Sequence, residues 1–308
     1  MTATSEPSAT SAPSLQFVGT ATTVLRIGEF TLLTDPNFLH RGERAYLGRG
    51  LFSKRLTEPA LGIDDLPPLD AVVLSHLHGD HWDRRARAGL DRSLPIVTTR
   101  HAARRLRLQG FENAVALDTW SSHELRRGTS TLSIRSMPGR HAPGPAAHVL
   151  PPVMGSVLEF RADPDAVPFR LYISGDTLFI PELQQVREAY PQLDASVVHI
   201  GGTKILGLLV TMDAVQGADF VELMDPSVVV PVHYDDYSVF RSPLSDFRAE
   251  MERRRWPGTV RYVEHGEVVR LDPSGPDGEI PNVSGQMPQT GTSRTHNEVV
   301  ARSTKQGT

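Results

Sequence analysis

The stretch Ser75-His76-Leu77-His78-Gly79-Asp80-His81 decides how this chain folds. Directly before it runs Ala71-Val72-Val73-Leu74, a short continuous apolar segment of the kind a strand buried on both faces requires. The loop after a buried strand is a place where polar side chains can converge outside a sheet. His76 and His78 are two apart and point the same way in an extended segment, whereas Asp80 and His81 are adjacent and diverge from that pair. One short loop can therefore serve two neighbouring metals. A lone His-x-His reads as a polar loop with solvated histidines. His76, His78, Asp80 and His81 together, behind a buried strand, read as a metal site.

The 308-residue chain has no cysteine, which excludes disulfides, thiolate nucleophiles and thiolate ligands. Any metal must be held by His, Asp, Glu or backbone oxygen. The formal net charge of −4 gives no global attraction to nucleic acid or to an anionic membrane, so no nucleic-acid partner is expected. MTATSEPSATSAPS at residues 1–14 lacks the basic start and apolar run of a secretory signal. No stretch approaches the roughly 18 consecutive apolar residues of a transmembrane helix. The expected location is the cytoplasm.

Residues 1–14 and 273–308 are polar and rich in small residues or Gly and Pro, and are expected to be disordered tails. Residues 15–272 read as one domain. Strands are predicted at 15–18, 23–27, 30–33, 71–74, 132–136, 155–160, 169–173, 196–200 and 228–230, with a final hairpin formed by 260–263 and 268–271. Helices are predicted at 100–108, 181–189, 213–224 and 244–255. In the third, Ala214, Val215, Ala218 and Val221 make one apolar face. Strands come first and then mix with helices, a pattern that suits two sheets packed face to face with helices outside.

SHLHGDHWD at residues 75–83 resembles the signature of the metallo-β-lactamase superfamily. TDPNF at 34–38 and LPPLDAVVLSH at 66–76 resemble its branch of N-acylphosphatidylethanolamine phospholipase D-like and ascorbate-6-phosphate lactonase-like hydrolases. The resemblance covers about residues 15–271 and implies an α/β fold, an αββα four-layer sandwich of two mixed β-sheets with helices on the outer faces. It also implies three further ligands, each behind a later strand: His141 in MPGRHAPG, Asp176 in YISGDT and His233 in VVVPVHYDD. The implied metal sites are His76, His78, His141 and Asp176 for one ion, and Asp80, His81, Asp176 and His233 for the other. Two divalent ions are implied, zinc first, with manganese or iron(II) also suited to these donors. A shared ligand places such ions about 3.5–4 Å apart, where they hold a bridging hydroxide. Asp80 can also orient that nucleophile, and Asp35 supports a ligand imidazole.

Each of these residues has a plain alternative when taken alone. His141 can be a surface histidine, Asp176 a turn former or helix N-cap, His233 a satisfied histidine near the core, and Asp35 the start of a turn with Pro36. His199 ends a strand before Gly201-Gly202 and is read either as a substrate contact or proton donor, or as a buried structural residue. Tyr234 and Tyr237 either position substrate or pack, and the apolar run at 205–210 either lines a substrate pocket, makes a subunit contact or packs. Ala142-Pro143 after His141, and Tyr234-Asp235 after His233, depart from the phospholipase D-like pattern and weigh against a phospholipid substrate. The expected activity is hydrolysis of a phosphodiester or similar anionic ester, on a small-molecule or lipid-like substrate. The same metals also suit a lactonase or carboxylic-ester hydrolase, and a non-catalytic metal-binding protein is the third alternative. Deleting residues 1–12 and 278–308 is expected to leave the melting temperature unchanged; a large drop would show that the tails belong to the fold.

Overall fold

The computed structural model describes residues 12–205 and 207–273, so both outer tail segments, and the disorder expected of them, lie outside the described residues. The strands are β1 (Ser14–Gly19), β2 (Thr22–Ile27), β3 (Phe30–Thr34), β4 (Arg44–Gly48), β5 (Leu51–Lys54), β6 (Ala71–Leu74), β7 (Ile96–Thr99), β8 (Ala114–Leu117), β9 (Ser122–Arg127), β10 (Ser130–Met137), β11 (Gly155–Arg161), β12 (Phe169–Ile173), β13 (Ala195–His199), β14 (Lys204–Ile205), β15 (Leu208–Leu209), β16 (Val228–Val232), β17 (Thr259–Val260) and β18 (Val268–Arg270). The helices are α1 (Arg84–Gly89), α2 (Arg100–Leu108), α3 (Leu183–Ala189), α4 (Ala214–Met224) and α5 (Leu244–Arg254).

Two mixed sheets form, in the orders β18-β1-β2-β3-β6-β7-β8 and β17-β16-β13-β12-β11-β10-β9. Each contains an antiparallel meander followed by a parallel set: β3, β6, β7 and β8 in the first, β12, β13, β16 and β17 in the second. Parallel strands need both faces covered, and the side-chain alternation supplies it. In β3, Leu32 joins the cluster between the sheets while Leu33 joins the outer one. In β6, Ala71 and Val73 face inward, and Val72 and Leu74 face outward. The inner cluster joins Leu25 and Ile27 of one sheet to Leu132, Ile134 and Leu158 of the other. The outer cluster packs Val72, Leu74 and Ile96 against Ala86 of α1 and Ala102 and Leu106 of α2. On the second sheet Tyr172 packs against Phe220 of α4, ring centroids 5.2 Å apart. This is the expected sandwich.

The short helices are fixed by their caps. The Asp83 carboxylate accepts from Ala86 N–H to start α1, the Thr99 hydroxyl from Ala102 N–H to start α2, and the Asp213 carboxylate from Gln216 N–H to start α4. One expectation fails. Residues 260–263 and 268–271 are not a hairpin: β17 runs parallel to β16 in one sheet, and β18 antiparallel to β1 in the other. The turn at Glu264–Glu267 crosses between sheets, because Gly266 N–H donates to the carbonyl of Phe17 and Phe17 N–H to that of Glu267. Among the described residues no helix is long and apolar enough to cross a membrane.

Parallel order decides where functional groups emerge. The C-terminal ends of β3 and β6 lie at one edge of the first sheet, and those of β12, β13 and β16 at one edge of the second. β10 is antiparallel to β11, and β11 to β12, so β10 ends at that second edge too. Leu158→Ala, at a fully buried contact between the sheets, is expected to cost about 2–5 kcal/mol of stability. Urea denaturation measures it; a loss well under 1 kcal/mol would contradict the inter-sheet packing.

Candidate metal centre

Six strand ends deliver the site. Asp35 follows β3, the segment from His76 to His81 follows β6, His141 follows β10, Asp176 follows β12, His199 ends β13 and His233 follows β16. Every His and Asp among them is buried. The structure brings every sequence-predicted ligand into one cluster, in overlapping groups: His76, His78 and His141; His76, His81 and Asp176; Asp80, His81 and His233.

The distances are those of a cation site. In the first group His76 Nε2 and His141 Nε2 lie 2.9 and 3.1 Å from His78 Nδ1. In the other two, which share His81, its Nε2 lies 3.1 Å from His233 Nε2, 3.2 Å from Asp176 Oδ2 and 4.0 Å from Asp80 Oδ2. His233 Nε2 is 3.5 Å from each of the same two carboxylate oxygens. Donors tetrahedrally placed about 2.0–2.1 Å from zinc lie roughly 3.3 Å from one another, and the separations around His81 and His233 bracket that value.

The polar inventory points the same way. His78 Nε2, Asp80 Oδ1, Asp176 Oδ1, His199 Nε2 and His233 Nδ1 are buried without a hydrogen-bond partner. Buried polar atoms are seldom left unsatisfied. Burial, with neighbouring imidazoles, holds His76 well below its usual pKa, and brings His78 down to about 3. These rings stay neutral and keep a lone pair for a metal. His81 differs: burial pulls its pKa down, but the carboxylates of Asp176, Asp35 and Asp80 raise it well above normal. Burial raises the pKa of Asp176, yet His233 and His81 outweigh it and keep the group ionised. Carboxylates held charged in a buried cluster require a compensating positive charge, from a proton or a metal.

Supporting residues aim the donors. Asp35 Oδ1 accepts from the Ser75 N–H at 2.7 Å and the Ser75 hydroxyl at 3.0 Å, and Oδ2 lies 3.3 Å from His81 Nδ1. That contact turns His81 Nε2 toward the cluster, as such carboxylate–histidine pairs do. His141 Nδ1 sits 2.7 and 2.9 Å from the carbonyls of Val210 and Asp176, to which its N–H donates, leaving Nε2 for a metal. The Thr211 hydroxyl donates to Asp176 Oδ2 at 3.1 Å. Asp35 and His233 adopt φ values of +37° and +62°, strained for non-glycine residues and typical of functional positions. Gly201 lets the His233 turn approach, since a Cβ there would lie 2.5 Å from the His233 carbonyl.

The structure places the residues whose readings were open. His199 is buried with Nδ1 3.1 Å from the Ser174 hydroxyl and Nε2 3.7 Å from Asp35 Oδ2, so it flanks Asp35. Tyr234 and Tyr237 pack, donating to the Val263 carbonyl and to Asn37 Oδ1. Leu208 and Leu209 of the 205–210 run form the β15 strand of a two-stranded ribbon with β14, and Val210 is buried. Ser75, Thr211 and Asn37 carry no sequence signal for their roles. The closest hint is adjacency: Ser75 precedes His76, and Asn37, whose amide donates to the Gly79 carbonyl, lies in the Asp-Pro-Asn turn.

A family model described as a β-lactamase superfamily domain matches residues 31–234, a span that contains every one of these candidate ligands. The chain belongs to the metallo-β-lactamase superfamily. It is a metal-dependent hydrolase of that superfamily. A metal-dependent hydrolase of Deinococcus radiodurans is 28% identical over 207 residues, 65% of this chain and 80% of its own. A possible metal-dependent hydrolase from Veillonella parvula has a TM-score of 0.71 at 23% identity, covering 84% of this chain and 100% of its own. An isothiocyanate hydrolase from Delia radicum gut bacteria also has a TM-score of 0.71, at 19% identity, over 84% and 99% of the two chains. These likenesses in structure speak to the fold. For the support residues, Asp35→Asn is expected to weaken zinc binding about 10–100-fold. Competition with a chromogenic chelator reads this, and an unchanged affinity would remove Asp35 from the site.

Proposed function

We propose that the cluster holds two divalent cations, zinc first among them, and that the protein hydrolyses a phosphodiester or similar anionic ester. His76, His78, His141 and Asp176 would hold one cation, and Asp80, His81, Asp176 and His233 the other. The observation that carries this reading is the overlap of donor groups at His81, whose Nε2 lies 3.1 Å from His233 Nε2 and 3.2 Å from Asp176 Oδ2. Bound there, the cations supply Lewis acidity and an activated water at neutral pH.

The chain's own groups do the rest. Asp80 Oδ1 is buried and unpartnered, free to accept a hydrogen bond from the attacking water and orient its lone pair. Asp176 Oδ2 is steadied by the Thr211 hydroxyl, which fixes the carboxylate plane between the two groups. Asp35 and Ser75 stop the His81 ring from rotating. Burial of the whole cluster strengthens each electrostatic contact.

Asp176→Ala is expected to lose both metal equivalents and all turnover of bis(p-nitrophenyl) phosphate; a variant with full metal content and activity refutes the assignment. Asp80→Ala should lose turnover as well. A fully loaded parent protein inert toward the phosphodiester, but active on lactones or carboxylic esters, would replace the bond class and keep the centre.

A further inference from the structure

A cavity of about 810 Å³ lies beside the metal loop, bounded by the β4–β5 ribbon, α1, α2 and residues 149–152. It meets the centre at His78 and Gly79, so it is a neighbouring chamber and not the cluster itself. Arg44, Arg49, Arg84, Arg87 and Arg105 line it, with His101. Asp83 is the sole carboxylate in that lining, and its oxygens are occupied by the N–H groups of Phe38, Leu39 and Ala86. Arg84 pairs with Glu43, Arg49 donates to the Val149 carbonyl, and Arg105 donates to His101. Arg44 and Arg87 have no side-chain partner among the described residues. Like charges gathered on one concave wall repel one another unless an anion sits among them.

His78 adds an independent observation. Its Nδ1 faces His76 and His141, which leaves Nε2 on the side of Gly48, another residue of the cavity wall, 4.0 Å from where a Cβ on Gly48 would stand. That nitrogen is buried and has no acceptor. If Nδ1 ligates, Nε2 must carry the proton and is a donor waiting at the inner end of the chamber. At the rim, Tyr46 and Phe52 stand 51% and 60% exposed with ring centroids 5.1 Å apart. Sites for small organic molecules occupy roughly 300–1,000 Å³ and combine apolar walls with a few convergent polar groups.

We propose that this chamber binds an oxyanion borne by a small organic substrate, a phosphate or carboxylate group remote from the scissile bond, with the organic part against Tyr46 and Phe52. Guanidinium forks match either oxyanion, and the His78 Nε2–H links the bound anion to the centre. The proposal rests on reading the neighbouring cluster as the hydrolytic centre.

Calorimetry with phenyl phosphate and with benzoate tests it, on zinc-loaded full-length protein, the Arg44→Ala/Arg87→Ala variant and, as a control remote from the cavity, Arg126→Ala. The double variant should bind at least one probe about tenfold more weakly or worse, with unchanged metal content and a shallower salt dependence, while the control keeps the parent affinity. Dependence on phenyl phosphate alone assigns a phosphate, and on benzoate alone a carboxylate. No binding by the parent, an affinity indifferent to the two arginines, or an equal loss in Arg126→Ala overturns the proposal. So does arginine-dependent binding to phosphatidylglycerol vesicles without binding of either soluble probe, which would make this face a lipid-docking surface. Failure of the centre itself would show separately, as full metal retention in Asp176→Ala.

Discussion

The structure turns on a single electrostatic problem. Imidazoles and ionised carboxylates are driven together in a volume largely shut off from water. Such groups are tolerated in a low-dielectric interior only when paired with opposite charge. The fold makes that convergence unavoidable. Four ligand-bearing segments leave parallel or co-directed strand ends, and the strands cannot shift register without turning their apolar faces the wrong way. The cluster is thus held by the two hydrophobic layers on either side of each sheet, more than by contacts among its own members.

Holding the donors is not the same as aiming them. Aim comes from a ring of small polar residues: Ser75 and Asp35 behind His81, the Val210 carbonyl behind His141, Thr211 behind Asp176. The φ values at Asp35 and His233 show the cost of this arrangement, about 1–3 kcal/mol each. A second buried network keeps the two halves of the rim in place. Arg55 donates to Asn37, Tyr237 also donates to Asn37, and Asp236 accepts from Thr20 N–H and the Thr57 hydroxyl. These contacts tie the turn after β3 to the turn after β16, the two segments that bring Asp35 and His233 to the cluster.

What the sequence made legible follows from this division. Apolar runs that end in His or Asp are visible because the strand and its cargo are contiguous: Val72-Val73-Leu74 before His76, Leu171 to Ile173 before Asp176, Val228 to Val232 before His233. The aiming residues act across the fold, and no spacing in the chain joins Thr211 to Asp176 or Val210 to His141. The edge strands were equally hard to read. β9, with Ser122-His123-Glu124-Leu125-Arg126-Arg127, is largely exposed and polar, so it lacks the apolar alternation that marks a half-buried strand. β17 and β18 sit close in sequence, and a turn between two short apolar runs reads as a hairpin. Only the packing of the whole sandwich sends them to different sheets.

The same contrast separates the centre from the chamber beside it. A metal centre needs a few residue types at fixed strand ends, so it leaves a local signature. A cationic chamber is assembled from the outward faces of α1, α2 and the β4–β5 ribbon, and its arginines come from three separate segments spread over residues 44–105. Read one at a time, Arg84 or Arg105 is an ordinary solvated helix residue. Their meaning is collective, because charge repulsion between neighbours depends on where the helices pack. Those helices pack where the outward row of Val72, Leu74 and Ile96 meets Ala86, Ala102 and Leu106. The alternation that buries β6 on both faces therefore sets the metal loop at its end and the arginines along its flank.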